Sequence, residues 1–163
     1  MTLATQWVVC TIWYMNTQQH GTTISAPADH VWQVFTDVER WPNWTRSVVR
    51  AAIVDGRTLD VGTAVRIKQP RMPELAWVVT ELTVGRSWTW VATSPGIVTS
   101  ATHVVEGIDA VTCRINQRIE HRGVLAAVIG PLTASRTRRY LEQEAAGLKS
   151  QCELTWSDGA ASA

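Results

Sequence analysis

From residue 48 to residue 119 the chain is a run of short segments rich in Val, Thr, Ile and Trp. Turn signals cut it at Asp55-Gly56, Val61-Gly62, Pro70 to Pro73, Val84-Gly85, Pro95-Gly96 and Gly107-Ile108-Asp109. Breaks at intervals of about ten residues read as hairpin connections, which commits this stretch to about six antiparallel strands. After Gly130-Pro131 the period changes: Ala134, Thr137, Leu141, Ala145, Leu148 and Cys152 form a helical stripe. Arg136, Arg138, Arg139, Glu142, Glu144 and Lys149 are expected mostly away from it. An antiparallel sheet with one apolar face and no second sheet must be covered by something, and this helix is the available lid. The fold class is therefore α+β.

The start of the chain adds a strand and two short helices. Thr22 to Ser25 ends a strand, and Ala26-Pro27-Ala28-Asp29 opens a helix with proline at a permitted first-turn position and an acid facing the dipole. Val31, Val34, Phe35 and Val38 follow at helical spacing. Pro42 stops that helix, and Glu39-Arg40-Trp41-Pro42-Asn43-Trp44 reads as a tight corner into a second short helix.

Composition narrows the function classes. A chain of 163 residues is one domain long and buries roughly 70% of the surface its unfolded form exposes. Hydrophobic residues are 45% and charged residues 18%, which argues against disorder except at the ends. A net charge of +1 supplies no field to draw in nucleic acid. Cys10, Cys113 and Cys152 are odd in number and form no C-x-x-C pair, so no metal site or disulfide framework is expected, and a reducing, cytoplasmic setting fits. The apolar stretch from Gln6 to Met15 lacks a basic leader and is too short to span a bilayer, so no stable membrane anchoring is expected. Residues 1–15 read as an N-terminal extension or extra edge strand whose apolar edge makes a homodimer plausible, and residues 154–163 as a disordered tail.

Four blocks then carry a family resemblance. Ile24-Ser25-Ala26-Pro27-Ala28-Asp29-His30-Val31-Trp32 with Asp37-Val38-Glu39-Arg40-Trp41-Pro42-Asn43-Trp44 resembles the opening signature of the polyketide cyclase/dehydrase branch of the START-like (SRPBCC, Bet v 1-type) superfamily. Thr80-Glu81-Leu82 before Gly85-Arg86-Ser87-Trp88-Thr89-Trp90, His103 in mid-strand, and Arg139-Tyr140-Leu141 with Glu144 to Lys149 resemble its later blocks, in order. The resemblance spans residues 16–153. It implies a helix-grip fold: a curved antiparallel sheet of about seven strands around a long C-terminal helix, enclosing a hydrophobic cavity, with two short helices after the first strand. The fold alone does not fix the chemistry, since it hosts lipid carriers, receptors and cyclases.

Strand parity selects the side chains that face inward. In the last strand these are Val111, Cys113, Ile115, Gln117, Ile119 and His121; in the one before, Thr99, Ala101, His103 and Val105. Trp77, Val79 and Glu81 share a face, as do Trp88, Trp90 and Ala92, and analogy with the cyclases turns the first set inward. The expected ligand-binding set is thus Trp77, Val79, Trp88, Trp90, Ala101, Ile115, Gln117, His121 and Leu141. For the nine tryptophans, against one Phe and two Tyr, core packing is the commoner role, as a hydrogen-bonded structural histidine is for His103. An inward Glu81 would need a partner, with His103 or Arg66 as candidates. Trp77 matches a cyclase pocket tryptophan, but Glu81 replaces the cyclase arginine and Val48 stands where its tyrosine would fall, so the usual carbonyl donors are missing.

The expectation is binding of a small hydrophobic molecule, a lipid, polyketide or similar, as carrier, sensor or sequestering protein, with no cofactor. The alternative is a metal-free cyclase or dehydratase with Glu81 and His103 as catalytic acid-base groups. A third reading is an accessory interaction module with a vestigial cavity.

Overall fold

The computed structural model describes residues 15–54, 56 and 58–161. The apolar segment before Met15, and with it the edge-strand expectation, lies outside the described residues. Seven strands form one antiparallel, curved sheet: β1 (Met15–Ile24), β2 (Arg50–Ile53), β3 (Ala64–Lys68), β4 (Leu75–Thr83), β5 (Ser87–Ser94), β6 (Ile97–Asp109) and β7 (Thr112–Arg122), in the order β1-β7-β6-β5-β4-β3-β2. The hairpins make every neighbour from β2 to β7 sequential, and β1 closes on the far side of β7. Helix α1 (Ala28–Thr36), a single 3₁₀ turn (Val38–Arg40) and the short α2 (Trp41–Trp44) link β1 to β2, and α3 (Ala126–Ala161) follows β7.

The helices cover the concave face as their apolar spacing requires. Val31, Phe35 and Val38 of the first stripe are buried. The Trp41 indole N–H donates to the Phe35 carbonyl at 2.9 Å, which fixes the corner between α1 and α2. Helix α3 packs on β1 and β7 and against α1 and α2, burying Leu141, Ala145, Leu148 and Cys152. Its backbone comes so close to the end of α2 that a Cβ on Gly147 would stand 2.1 Å from the Trp44 carbonyl oxygen, so only glycine permits this crossing.

Two expectations about α3 are corrected. The helix begins at Ala126, before Gly130-Pro131. Pro131 is the sixth residue of this helix and leaves the Ala127 carbonyl without its i→i+4 donor, and Gly130 lets the helix approach Asn16, which a Cβ there would meet at 2.8 Å. At the other end the helix runs through the expected tail to Ala161. Thr155 Oγ1 hydrogen-bonds His30 Nε2 at 2.9 Å, and the rings of Trp156 and His30 lie 5.7 Å apart, so α1 supplies the tertiary contacts that composition could not reveal. Among the described residues no helix is long and apolar enough to cross a membrane.

Candidate functional site

The middle of the concave face is built from aromatic rings around one imidazole. Trp88 and Trp90 project from β5 and Trp77 from β4, all buried. Antiparallel register sets Trp88 opposite His103 of β6, and the two rings stack with centroids 4.3 Å apart and planes 11° from parallel. Phe35 and Trp90 meet the imidazole edge-on at 5.2 and 5.3 Å, and Trp41 at 5.9 Å. Trp41 therefore both pins the corner and walls the site.

Three polar side chains meet inside this wall. His103 is 3% exposed, Gln117 of β7 1% and Glu144 of α3 6%. His103 Nε2 lies 3.6 Å from Glu144 Oε1, and Gln117 Nε2 donates a hydrogen bond to the same oxygen. Register explains the meeting, since His103 and Gln117 are paired across β6 and β7 on the inner face. At 3.6 Å the two groups are in close polar contact but beyond hydrogen-bond distance. The imidazole Nδ1, the Gln117 carbonyl oxygen and the indole N–H groups of Trp88 and Trp90 are buried with no hydrogen-bond partner among the described residues. An unmet buried polar atom costs about 1–3 kcal/mol, so this centre carries both donors and acceptors in need of partners.

Glu81 is elsewhere. Val79 pairs with Trp90 but Glu81 pairs with Thr89, a register shift that inserts Thr80 as an extra residue. Such a bulge reverses the alternation beyond it. Trp77 and Val79 point inward as expected, Leu82 then takes the inner place opposite Trp88, and Glu81 is exposed. The expected pairing of Glu81 with His103 is overturned, and the carboxylate at the imidazole is Glu144. Sequence reasoning set Glu144 aside as a solvent-facing charge, although it stands three residues after Leu141 and four before Leu148. A carboxylate on an apolar stripe was the available signal.

The remaining expected residues divide. Ala101, Ile115 and Leu141 are buried; Val111, expected inward at the start of the last strand's set, is exposed. His121 is half-buried, with Nδ1 hydrogen-bonded to Thr99 Oγ1 at 2.9 Å, and burial lowers its pKa from the ordinary histidine value. Burial raises the thiols of Cys113 and Cys152 to about 11 and about 12, so both are protonated and poorly nucleophilic at neutral pH.

A cleft of about 550 Å³ opens beside α1, with Trp32, Thr36, Val38, Ile53, Leu59 and Leu82 among its walls. Trp32 joins it to the interior, since its ring meets Trp88 edge-on at 5.7 Å.

Against known proteins, residues 17–153 match the family model described as polyketide cyclase/dehydrase and lipid transport. The chain belongs to that family. Solved structures of other proteins share its fold. Norcoclaurine synthase of Thalictrum flavum, as a point mutant, superposes with a TM-score of 0.65 at 15% identity, over 86% of this chain and 95% of that one. The Zhui aromatase/cyclase of Streptomyces sp. R1128 gives 0.62 at 21% identity, over 86% and 94%. A START superfamily protein of Mycobacterium smegmatis gives 0.66 at 13% identity, over 83% and 98%. No curated protein matches by sequence. At these identities the neighbours establish the fold of this polyketide cyclase/dehydrase-family chain and leave its chemistry to its own residues.

Proposed function

We propose that the protein binds a small hydrophobic ligand carrying a hydrogen-bonding oxygen on the concave face of its sheet, acting as a carrier, sensor or sequestering protein. The observation that carries this reading is the set of buried, unpartnered polar atoms on an aromatic surface: Trp88 Nε1, Trp90 Nε1, His103 Nδ1 and Gln117 Oε1. Ligand sites are apolar concavities with a few polar groups that fix orientation, and a carbonyl or phenol held against the indoles would meet these donors and acceptors. The rings fill the centre tightly, so a ligand enters by displacing them. Trp32 is the side chain to move, because it lines the cleft on one side and touches Trp88 on the other. A cleft volume of about 550 Å³ lies within the ordinary range for small-molecule sites. A norcoclaurine synthase structure of similar fold holds dopamine and hydroxybenzaldehyde, which supports an aromatic ligand.

The proximity of His103 and Glu144 favours a second reading, turnover of an enolisable ketone. The carboxylate, held by Gln117, would orient the imidazole and stabilise its protonated form while His103 moves the proton. Tryptophan fluorescence tests binding directly. Titration with aromatic polyketides, fatty acids and sterols is expected to quench or shift the emission for at least one class, and His103→Gln to weaken that response. Unchanged emission across the panel, with no small molecule released from gently purified protein in mass spectrometry, overturns the binding reading. Loss of turnover of a bound ketone in both His103→Gln and Glu144→Gln, with binding retained, would establish the second.

A further inference from the structure

Away from the indole centre, three arginines from three separate elements line one small cavity. Arg46 from the link between α2 and β2, Arg71 from the turn between β3 and β4, and Arg139 from α3 surround a volume of about 260 Å³ together with Pro70, Tyr140 and Gln143. No carboxylate lines it, and none of the three arginines forms an ion pair or hydrogen bond among the described residues. The nearby Glu74 is engaged by Arg50. Like charges bordering one cavity repel, and a cluster left unpaired has the character of an anion receptor.

The backbone beneath the cluster is held in place. Gln69 to Met72 form a tight turn, with the Met72 N–H donating to the Gln69 carbonyl at 3.3 Å. Proline occupies its second position and Arg71 its third, where φ is +58°. That place ordinarily takes glycine, because a side chain is disfavoured in the left-handed region. A strained residue persists when its surroundings hold it, often for function. Here the Tyr140 hydroxyl donates to the Pro70 carbonyl and Lys68 Nζ to the Met72 carbonyl. Arg46 is fixed from both sides, since Thr45 and Ser47 are buried and their hydroxyls hydrogen-bond each other at 2.9 Å. The three arginines thus border the cavity from backbone that is held in place, while their side chains stay exposed.

We infer that this cavity binds a phosphate group, whose oxygens match several guanidinium forks at once. The group comes either from a soluble phosphate ester or from a lipid head group. The inference stands independently of the interior ligand, because inorganic phosphate alone probes it. Calorimetric titration of the full chain with inorganic phosphate at constant ionic strength is expected to show one saturable site. Each of Arg71→Gly and Arg139→Gln is expected to weaken it roughly tenfold, the loss of one charge-assisted hydrogen bond. Arg71→Gly also removes the left-handed strain, so its melting temperature stays level or rises while binding falls, an opposition that a merely structural role would not produce. Arg138→Gln, on the same helix but outside the cavity, leaves binding unchanged. Absence of saturable binding, or binding indifferent to Arg71→Gly, overturns the site. Flotation with phosphatidylcholine vesicles containing phosphatidic acid separates the two sources. Recruitment competed by inorganic phosphate supports a lipid head group, and phosphate binding without recruitment supports a soluble ester. Recruitment that phosphate does not compete assigns the arginines to general membrane attraction and overturns the site.

Discussion

Gln143 and Glu144 are neighbours on α3, yet they belong to different environments. Gln143 lines the arginine cavity, and Glu144 lies buried beside His103 and Gln117. One residue along a helix is a rotation of about 100°, enough to pass from a solvated cationic surface into an aromatic interior. The comparison shows how polar side chains are held in each case. In the interior, shape and hydrogen-bond pairing set the energy, and removing one partner exposes the full desolvation cost of the other. At the surface cavity the arginines remain hydrated, so their removal changes affinity for an anion and leaves the fold nearly untouched.

Thermal melts across this divide give the sharpest contrast. Trp88→Ala removes the ring that stacks on His103 and packs against Phe35, and is expected to destabilise the protein by about 3–5 kcal/mol. A loss below about 1 kcal/mol would mean that the aromatic centre is loosely packed. Glu144→Leu strands the Gln117 amide and is expected to cost about 1–3 kcal/mol, whereas adding Gln117→Leu recovers much of that loss, since replacing both partners by apolar groups is close to neutral. A double variant no more stable than the single one breaks the account of the interior as a paired cluster. Arg46→Gln and Arg139→Gln are each expected to shift stability by no more than about 0.5 kcal/mol; a larger fall would show that the cavity arginines hold the fold.

The smallest effect concerns pH. Burial keeps the folded His121 pKa below its ordinary value, so as pH falls below about 6.5 the unfolded chain takes up a proton that the native state does not. Its contribution to stability is present above that pH and is lost as the solution is acidified towards the folded pKa. His121→Gln is therefore expected to flatten the fall in melting temperature between pH 7.5 and pH 5. A slope unchanged by the substitution would place the acid sensitivity elsewhere.

Much of the architecture was legible because it depends on local periods. Turn residues at regular spacing gave the meander from β2 to β7, and strict alternation in β6 and β7 put His103, Gln117, Ile115 and Cys113 on the inner face. In β4 alternation put Trp77, Val79 and Glu81 on one face, which analogy with the cyclases turned inward; that holds for Trp77 and Val79 and fails at Glu81, since a single bulged residue leaves no mark in the hydrophobic pattern. Glu144 was missed for the opposite reason. Its position on the stripe was visible, but a charge is read as solvent-facing unless a buried partner is known, and Gln117 lies on another element, twenty-seven residues away.

By itself the sequence determined an α+β chain, a strand meander covered by a long helix with His103 on the inner face, because helical and strand periods and turn chemistry are encoded within a few residues of one another. The helix-grip type and the inward turn of Trp77 came from the family resemblance. Only the tertiary structure decided that Glu144 rather than Glu81 faces the imidazole, that the indoles close over it, and that Arg46, Arg71 and Arg139 share one cavity. Those outcomes depend on register and on helix rotation against the sheet, which emerge from contacts between residues far apart in the chain.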